Sequence, residues 1–304
     1  MTSTTYRALD LLTKGGYEPK VSSRGPFWRP PVPKPSRYVH LPAWDWESEG
    51  VAGPGDEMAD ADVSGAFVAA LTSGTYAHGA LTRTGPFHGL KPAPGYYQIL
   101  TPVWQLPSIV SPLGSAELPD AVWIKHPTLD LLQQLATAGK LPDIEVKDSY
   151  TAKVSCRLRT WGEKLRDDRA ALLATRNATA PGTVARAAAD KAYADFKDSY
   201  SIAIQMMAGK TDDATGDLKT NKSEVLRPDW YHTIHAQHAA TMWRKVFSAH
   251  EAGIFPYAMG SLDEVTYRQE DWDRIPTLPK PPFRIDETGV TLGSFKVKNQ
   301  WVMA

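Results

Sequence analysis

Cysteine is almost missing from this chain: a single one, Cys156, in 304 residues. No intrachain disulfide framework can form, and the composition fits a reducing cytoplasm. Cys156 itself reads as a small buried apolar residue. Long apolar runs are missing too. Nothing approaches the ~20 residues that cross a bilayer, and Met1–Glu18 has no apolar signal-peptide core. Neither charge sign is in excess, with Lys+Arg and Asp+Glu at 34 each, so the overall field gives no reason to expect nucleic acid. The chain is nevertheless 42% hydrophobic, enough to fold around a real core as one large or two ordinary domains.

Proline and basic residues are present in excess, but only locally. Pro19, Pro26, Pro30, Pro31, Pro33, Pro35, Pro42 and Pro54 make residues 1–55 an extended arm draped over a core, with a short helix at Thr4–Thr13. Residues 153–176 carry Lys153, Arg157, Arg159, Lys164, Arg166, Arg169 and Arg176 against Glu163, Asp167 and Asp168, a basic stretch in a neutral protein. Strand composition marks Tyr96–Leu100, Ala121–Ile124 and Ile144–Val146. Helical periodicity marks Thr128–Gly139, Ser155–Arg176, Thr183–Met207 and the segment from Pro228 to His250, with 209–227 a polar loop. The two helices joined at Asn177–Gly182 form an antiparallel hairpin. Gly209-Lys210-Thr211 imitates the end of a phosphate-binding loop, but Ile204 stands where that loop needs glycine. His232, His235 and His238 drift around their helix and read as solvated side chains rather than zinc ligands.

Two segments roughly 200 residues apart carry the chemistry. Asp60-Ala61-Asp62-Val63-Ser64-Gly65-Ala66-Phe67 and Gly260-Ser261-Leu262-Asp263-Glu264-Val265 each set an aspartate in an apolar, strand-like frame. Burying an unpaired carboxylate is expensive. Two such sites point to a shared counter-ion, a divalent cation held by oxygen, in the manner of a two-metal phosphoryl-transfer centre. The plainer alternative is a pair of turn or edge aspartates.

In this order the motifs resemble the palm and fingers of family B DNA polymerases, of the compact kind found on linear or mobile replicons. Asp62-Val63-Ser64-Gly65-Ala66-Phe67 is similar to the first motif of that family. Lys197-Asp198-Ser199-Tyr200-Ser201-Ile202-Ala203-Ile204-Gln205 is similar to the second, and Gly260-Ser261-Leu262-Asp263-Glu264-Val265 to the third. The match spans roughly residues 57–268. It departs at Ser261, where the third motif has an aspartate, in the second half of the second motif, and at Phe67, where the first has tyrosine.

The resemblance implies an α+β fold with a palm-like antiparallel sheet, packed helices and a helical-hairpin fingers insertion. It implies the division 1–55 arm, 56–152 first palm part, 153–209 fingers, 210–269 second palm part, and 270–304 tail in the place of a truncated thumb. No proofreading nuclease is expected ahead of residue 57, and Phe295-Lys296-Val297-Lys298 falls where that family has a lysine-bearing primer-contact strand. Asp62 and Asp263 would be catalytic, and with the Val63 carbonyl would hold Mg²⁺ or Mn²⁺. Lys197, Arg186, Arg166 and Arg169 would meet the incoming triphosphate. Phe67 would pack under its ribose. The implied partners are a DNA primer-template, a dNTP, and a separate chain supplying thumb, exonuclease or priming function. The rival readings are a catalytically inactive palm-like module binding DNA or a replisome protein, and an unrelated α+β structural protein.

Overall fold

The computed structural model describes residues 34–208, 210–211, 218–219 and 226–304. Along the chain, β1 (Trp44–Glu47) leads to β2 (Glu57–Val63), helix α1 (Ala66–Ser73), β3 (Tyr76–His78), β4 (Thr82–Arg83), β5 (Gly95–Leu100) and β6 (Ala121–Lys125). Then come α2 (His126–Thr137), β7 (Val146–Thr151), β8 (Val154–Cys156) and the long helices α3 (Arg159–Ala178) and α4 (Val184–Ala208). A short ladder of β9 (Lys210–Thr211) and β10 (Leu218–Lys219) precedes α5 (Pro228–Glu251). The hairpin β11 (Ala258–Ser261) and β12 (Glu264–Arg268), α6 (Gln269–Arg274) and β13 (Phe295–Val302) complete the described elements. The α+β class expected from the sequence is the class found.

Two antiparallel sheets frame the molecule. One has the order β1-β11-β12-β2-β13 and the other β4-β7-β5-β6. In β2 the alternation of a half-buried strand is clear: Ala59, Ala61 and Val63 are buried, whereas Asp60 and Asp62 are half-buried on the opposite face. The main core packs that sheet's inner face, with Met259, Val265 and Tyr267, against α2 and the second half of α5. A second core joins α1, α3, α4 and the first half of α5 through Leu71, Trp161, Leu165, Phe196, Ile204, Trp230 and Ile234. α5 therefore belongs to both cores. Its Pro228 needs no amide partner at the first helical position. α3 comes close to α1 at Gly162, where an added Cβ would lie 2.7 Å from Thr72 Cγ2.

Three expectations are corrected. Part of the proline-rich arm is sheet: β1 pairs with β11, and Trp44, 2% exposed, ties it down by donating from Nε1 to the Ser111 carbonyl at 3.0 Å. The expected Thr4–Thr13 helix lies outside the described residues. The helix histidines are not solvated, because both cores close over α5: His238 is 4% exposed, and His232 and His235 are half-buried. Burial drives His235 and His238 down to about 4 and His232 to about 3. Finally, the 209–227 loop contains the β9–β10 ladder.

Candidate active site

β2 runs between β12 and β13, so its outward acids meet side chains from both neighbours. Asp62 is opposite Glu264 on one side and Lys296 on the other; Asp60 is opposite Thr266 and Asn299. The β11–β12 turn brings Asp263 to the same place, since the Val63 amide donates to the Asp263 carbonyl at 3.1 Å. Asp62 and Asp263 thus come together across adjacent strands.

Electrostatics distinguish these carboxylates from Asp60. Asp60 is fully engaged, accepting the Thr266 hydroxyl at 2.8 Å and the Trp301 indole N–H at 3.0 Å. Among the described residues, the one ion-pair partner of Asp62 is the Lys296 ammonium, 3.7 Å from Oδ1, and that buried oxygen accepts no hydrogen bond. Asp263 is held above the usual carboxylate range, first by burial and then by the charges of Asp62 and Glu264, with Lys197 and Lys298 opposing. The site is therefore short of positive charge. Its donor set, two carboxylates and backbone carbonyls, suits a hard oxygen-seeking cation such as Mg²⁺, and the orphaned Asp62 oxygen is where such an ion fits. Among the described residues, no three His, Cys, Asp or Glu side chains converge tightly enough to cage a metal unaided. That is the usual condition of Mg²⁺ sites completed by substrate phosphates.

Gly65 makes the turn from β2 into α1. Its φ of +60° is one that side chains resist, and an added Cβ would lie 2.5 Å from Leu292 Cδ2 and 3.2 Å from Arg169 Nε. Phe67, two residues on, packs its ring 4.7 Å from His235 and 5.7 Å from His238. The Leu262 backbone, in the aspartate-bearing turn, acts on His238 against the effect of burial. Sequence reasoning missed this link between Phe67 and that turn, because three-residue spacing alone does not show which face of a helix is covered.

The expected cations divide. Lys197 is exposed on α4, and its charge is felt at Asp263. Arg169 is 3% exposed and donates to the Val290 carbonyl at 3.1 Å; its charge is felt instead by Tyr200, whose hydroxyl burial lifts to about 12. Arg166 is exposed and pairs with Asp167 at 2.8 Å. Arg186 sits near the tip of the α3–α4 hairpin, bonded to Asp190 at 3.1 Å and to the Thr179 carbonyl at 3.3 Å. It lies about 16 Å along the helix from Lys197. Glu264 and Lys298 lie within segments the sequence singled out, but their pairing with each other was not expected. Only their alternation along strands that flank β2 could have marked them.

No protein-family model matches the sequence, and no curated protein matches it. Solved structures do. An orthorhombic crystal form of Phi29 DNA polymerase superimposes with a TM-score of 0.58 at 13% identity, over 98% of this chain and 53% of that one. The same polymerase complexed with primer-template DNA and incoming nucleotide gives a TM-score of 0.56 at 15% identity, over 98% and 52%. Its binary complex with primer-template DNA gives 0.54 at 13%. The fold is thus like that of a DNA polymerase, and the chain spans about half the length of the structures it matches.

Proposed function

We propose that the chain carries a nucleotidyl-transfer centre of polymerase type, extending a DNA 3′ end with dNTPs. One observation carries the reading: a buried Asp62 oxygen that accepts no hydrogen bond beside an Asp263 carboxyl whose proton affinity burial and neighbouring acids raise, in a fold like that of Phi29 DNA polymerase. Asp62, Asp263 and the Val63 carbonyl would hold Mg²⁺ or Mn²⁺. Ions held there would supply a lowered pKa for a 3′-hydroxyl and compensation for charge developing on the phosphates. The chain's own residues have separate tasks. Lys197 offers an exposed ammonium to the triphosphate from the fingers-like hairpin, with Arg166, Arg169 and Arg186 behind it on α3 and α4. Phe67, backed by His235 and His238, forms the floor under the sugar. Residues 153–209 would serve as fingers and the segments on either side as palm. Primer-template DNA and dNTP are the ligands of this reading. Among the described residues no helix is long and apolar enough to cross a membrane.

Primer extension with Mg²⁺ or Mn²⁺ tests this. Incorporation that vanishes in Asp62→Ala and in Asp263→Ala supports it. A second reading, an inactive palm-like module that binds DNA or a replisome protein, is favoured by Ser261, an exposed residue at φ +50° where a further carboxylate is expected. DNA binding without incorporation under either metal selects that reading.

A further inference from the structure

Glu264 and Lys298 have no task in the reading above, although both are within reach of its centre. Glu264 is the register partner of Asp62 on β12. Directly opposed residues on antiparallel strands project from one face with Cβ atoms about 5 Å apart, so like charges there repel. With Asp263 adjacent in sequence, three carboxylates share one end of the sheet. Such a grouping burdens the fold unless a cation stands among them.

Lys298 is that cation in this structure. β13 is an edge strand whose ladder slips between Val297 and Asn299, leaving Lys298 unpaired in a bulge. From there its ammonium reaches across β2 to Glu264 on the next strand over, and its charge is felt at Asp62 and Asp263 too. Lys296 lies alongside on Asp62. The Glu264–Lys298 pair borders an open groove of about 350 Å³, with Asp45, Asp60 and Thr266 on its walls. The two side chains are 42% and 56% exposed. An exposed pair of this kind shifts an equilibrium by less than about fivefold, so a dication can displace it.

We propose that Glu264 is a third carboxylate of the cation site and that Lys298 is a stand-in counter-ion, displaced when a divalent cation binds. Glu264 then restores the negative charge missing at Ser261. Lys298 pairs with Glu264 as the side chains stand, and among the described residues no three such ligands converge. The inference rests on the metal-centre reading of Asp62 and Asp263.

The test is Mn²⁺ binding to the full chain without DNA, followed by the electron paramagnetic resonance of free Mn²⁺, with circular dichroism melts to verify folding. Glu264→Gln should weaken binding roughly tenfold, and Lys298→Gln should tighten it by about two- to fivefold. In the double variant the tightening should disappear, because Lys298 acts through Glu264. Three results overturn the proposal while leaving the metal centre intact, provided Asp62→Asn still weakens binding. They are Glu264→Gln within twofold of wild type, Lys298→Gln no tighter than wild type, and equal tightening by Lys298→Gln with Glu264 present or replaced. If Asp62→Asn leaves Mn²⁺ binding unchanged, the metal centre itself fails and this proposal falls with it.

Discussion

Two clusters in this molecule are built from the same few residue types and end in opposite states. Around the start of α5, Arg227 (2% exposed) and Asp229 (4%) form a two-pronged pair at 3.0 and 2.8 Å. Arg227 lies 3.8 Å over the Trp230 ring, and both residues donate to the Ala77 carbonyl, at 2.8 and 2.9 Å. Lys125, 1% exposed, rests 3.7 Å above the Tyr96 ring, whose hydroxyl meets His232 Nδ1 at 3.0 Å. Burial pushes the Lys125 ammonium down to about 7, with Asp229 opposing and Arg227 adding to the fall. Here the Arg227–Asp229 pair is matched inside the protein, with Lys125 buried beside it. At the outer end of β2, by contrast, Asp62, Asp263 and Glu264 have, among the described residues, only Lys296 and Lys298 in ion-pair contact, and all three remain half open to solvent. Matched buried charge fixes structure, because removing either partner is costly. Unmatched, accessible charge is left for a ligand.

The sharpest way to break this contrast is to remove one acid from each cluster. Asp62→Ala should cut nucleotide incorporation by a thousandfold or more, about 4 kcal/mol of transition-state stabilisation. Its thermal midpoint should stay the same or rise, since a repelling charge is gone. Primer extension and calorimetry measure the two arms. Asp229→Ala should do the reverse, lowering stability by about 3–4 kcal/mol in denaturant unfolding because the buried Arg227 loses its two-pronged carboxylate partner. Its effect on Mn²⁺ affinity should be small.

Acid should loosen the buried side first. His126 and His238 are 7% and 4% exposed, and burial lowers them to about 3 and about 4. Unfolded, each ring takes its proton near pH 6.5. Between pH 6.5 and 4 the unfolded chain therefore binds more protons than the folded one, and stability falls as pH falls. Each ring contributes about 1.4 kcal/mol per pH unit within its window. Chemical unfolding at pH 7, 6 and 5 reads the slope, and His238→Leu should flatten it. A pH-independent unfolding free energy over this range would contradict the buried placement of these histidines.

The smallest effect is expected at Lys125. An unfolded lysine keeps its proton to about pH 10.4, whereas Lys125 holds its own only to about 7. Stability should thus rise with pH between these values. Lys125→Met keeps the length of the side chain without the desolvated amine, and should add about 1 kcal/mol at pH 7 while removing the alkaline rise.

Much of this architecture was legible in the chain. The long helices follow from apolar periodicity with Pro228 as a start signal, and Asp62 stands out because Ala61 and Val63 fix a buried strand around it. What escaped depended on contacts distant in sequence. Trp44 and its strand looked like part of a proline-rich arm, because pairing with Ala258–Ser261 leaves no local trace. The α5 histidines looked solvated because a helix with both ends in separate cores has no single polar face. The pairing of Glu264 with Lys298 was not legible because the two meet only across the intervening β2.

The sequence by itself determined the long helices, and which two aspartates sit in frames too apolar for an unpaired charge. These follow from short-range periodicity and desolvation, which act residue by residue. Only the tertiary structure decided which charges are matched, because strand order and register set which acid faces which base. Coulomb and hydrogen-bond energies depend on those separations and not on distance along the chain.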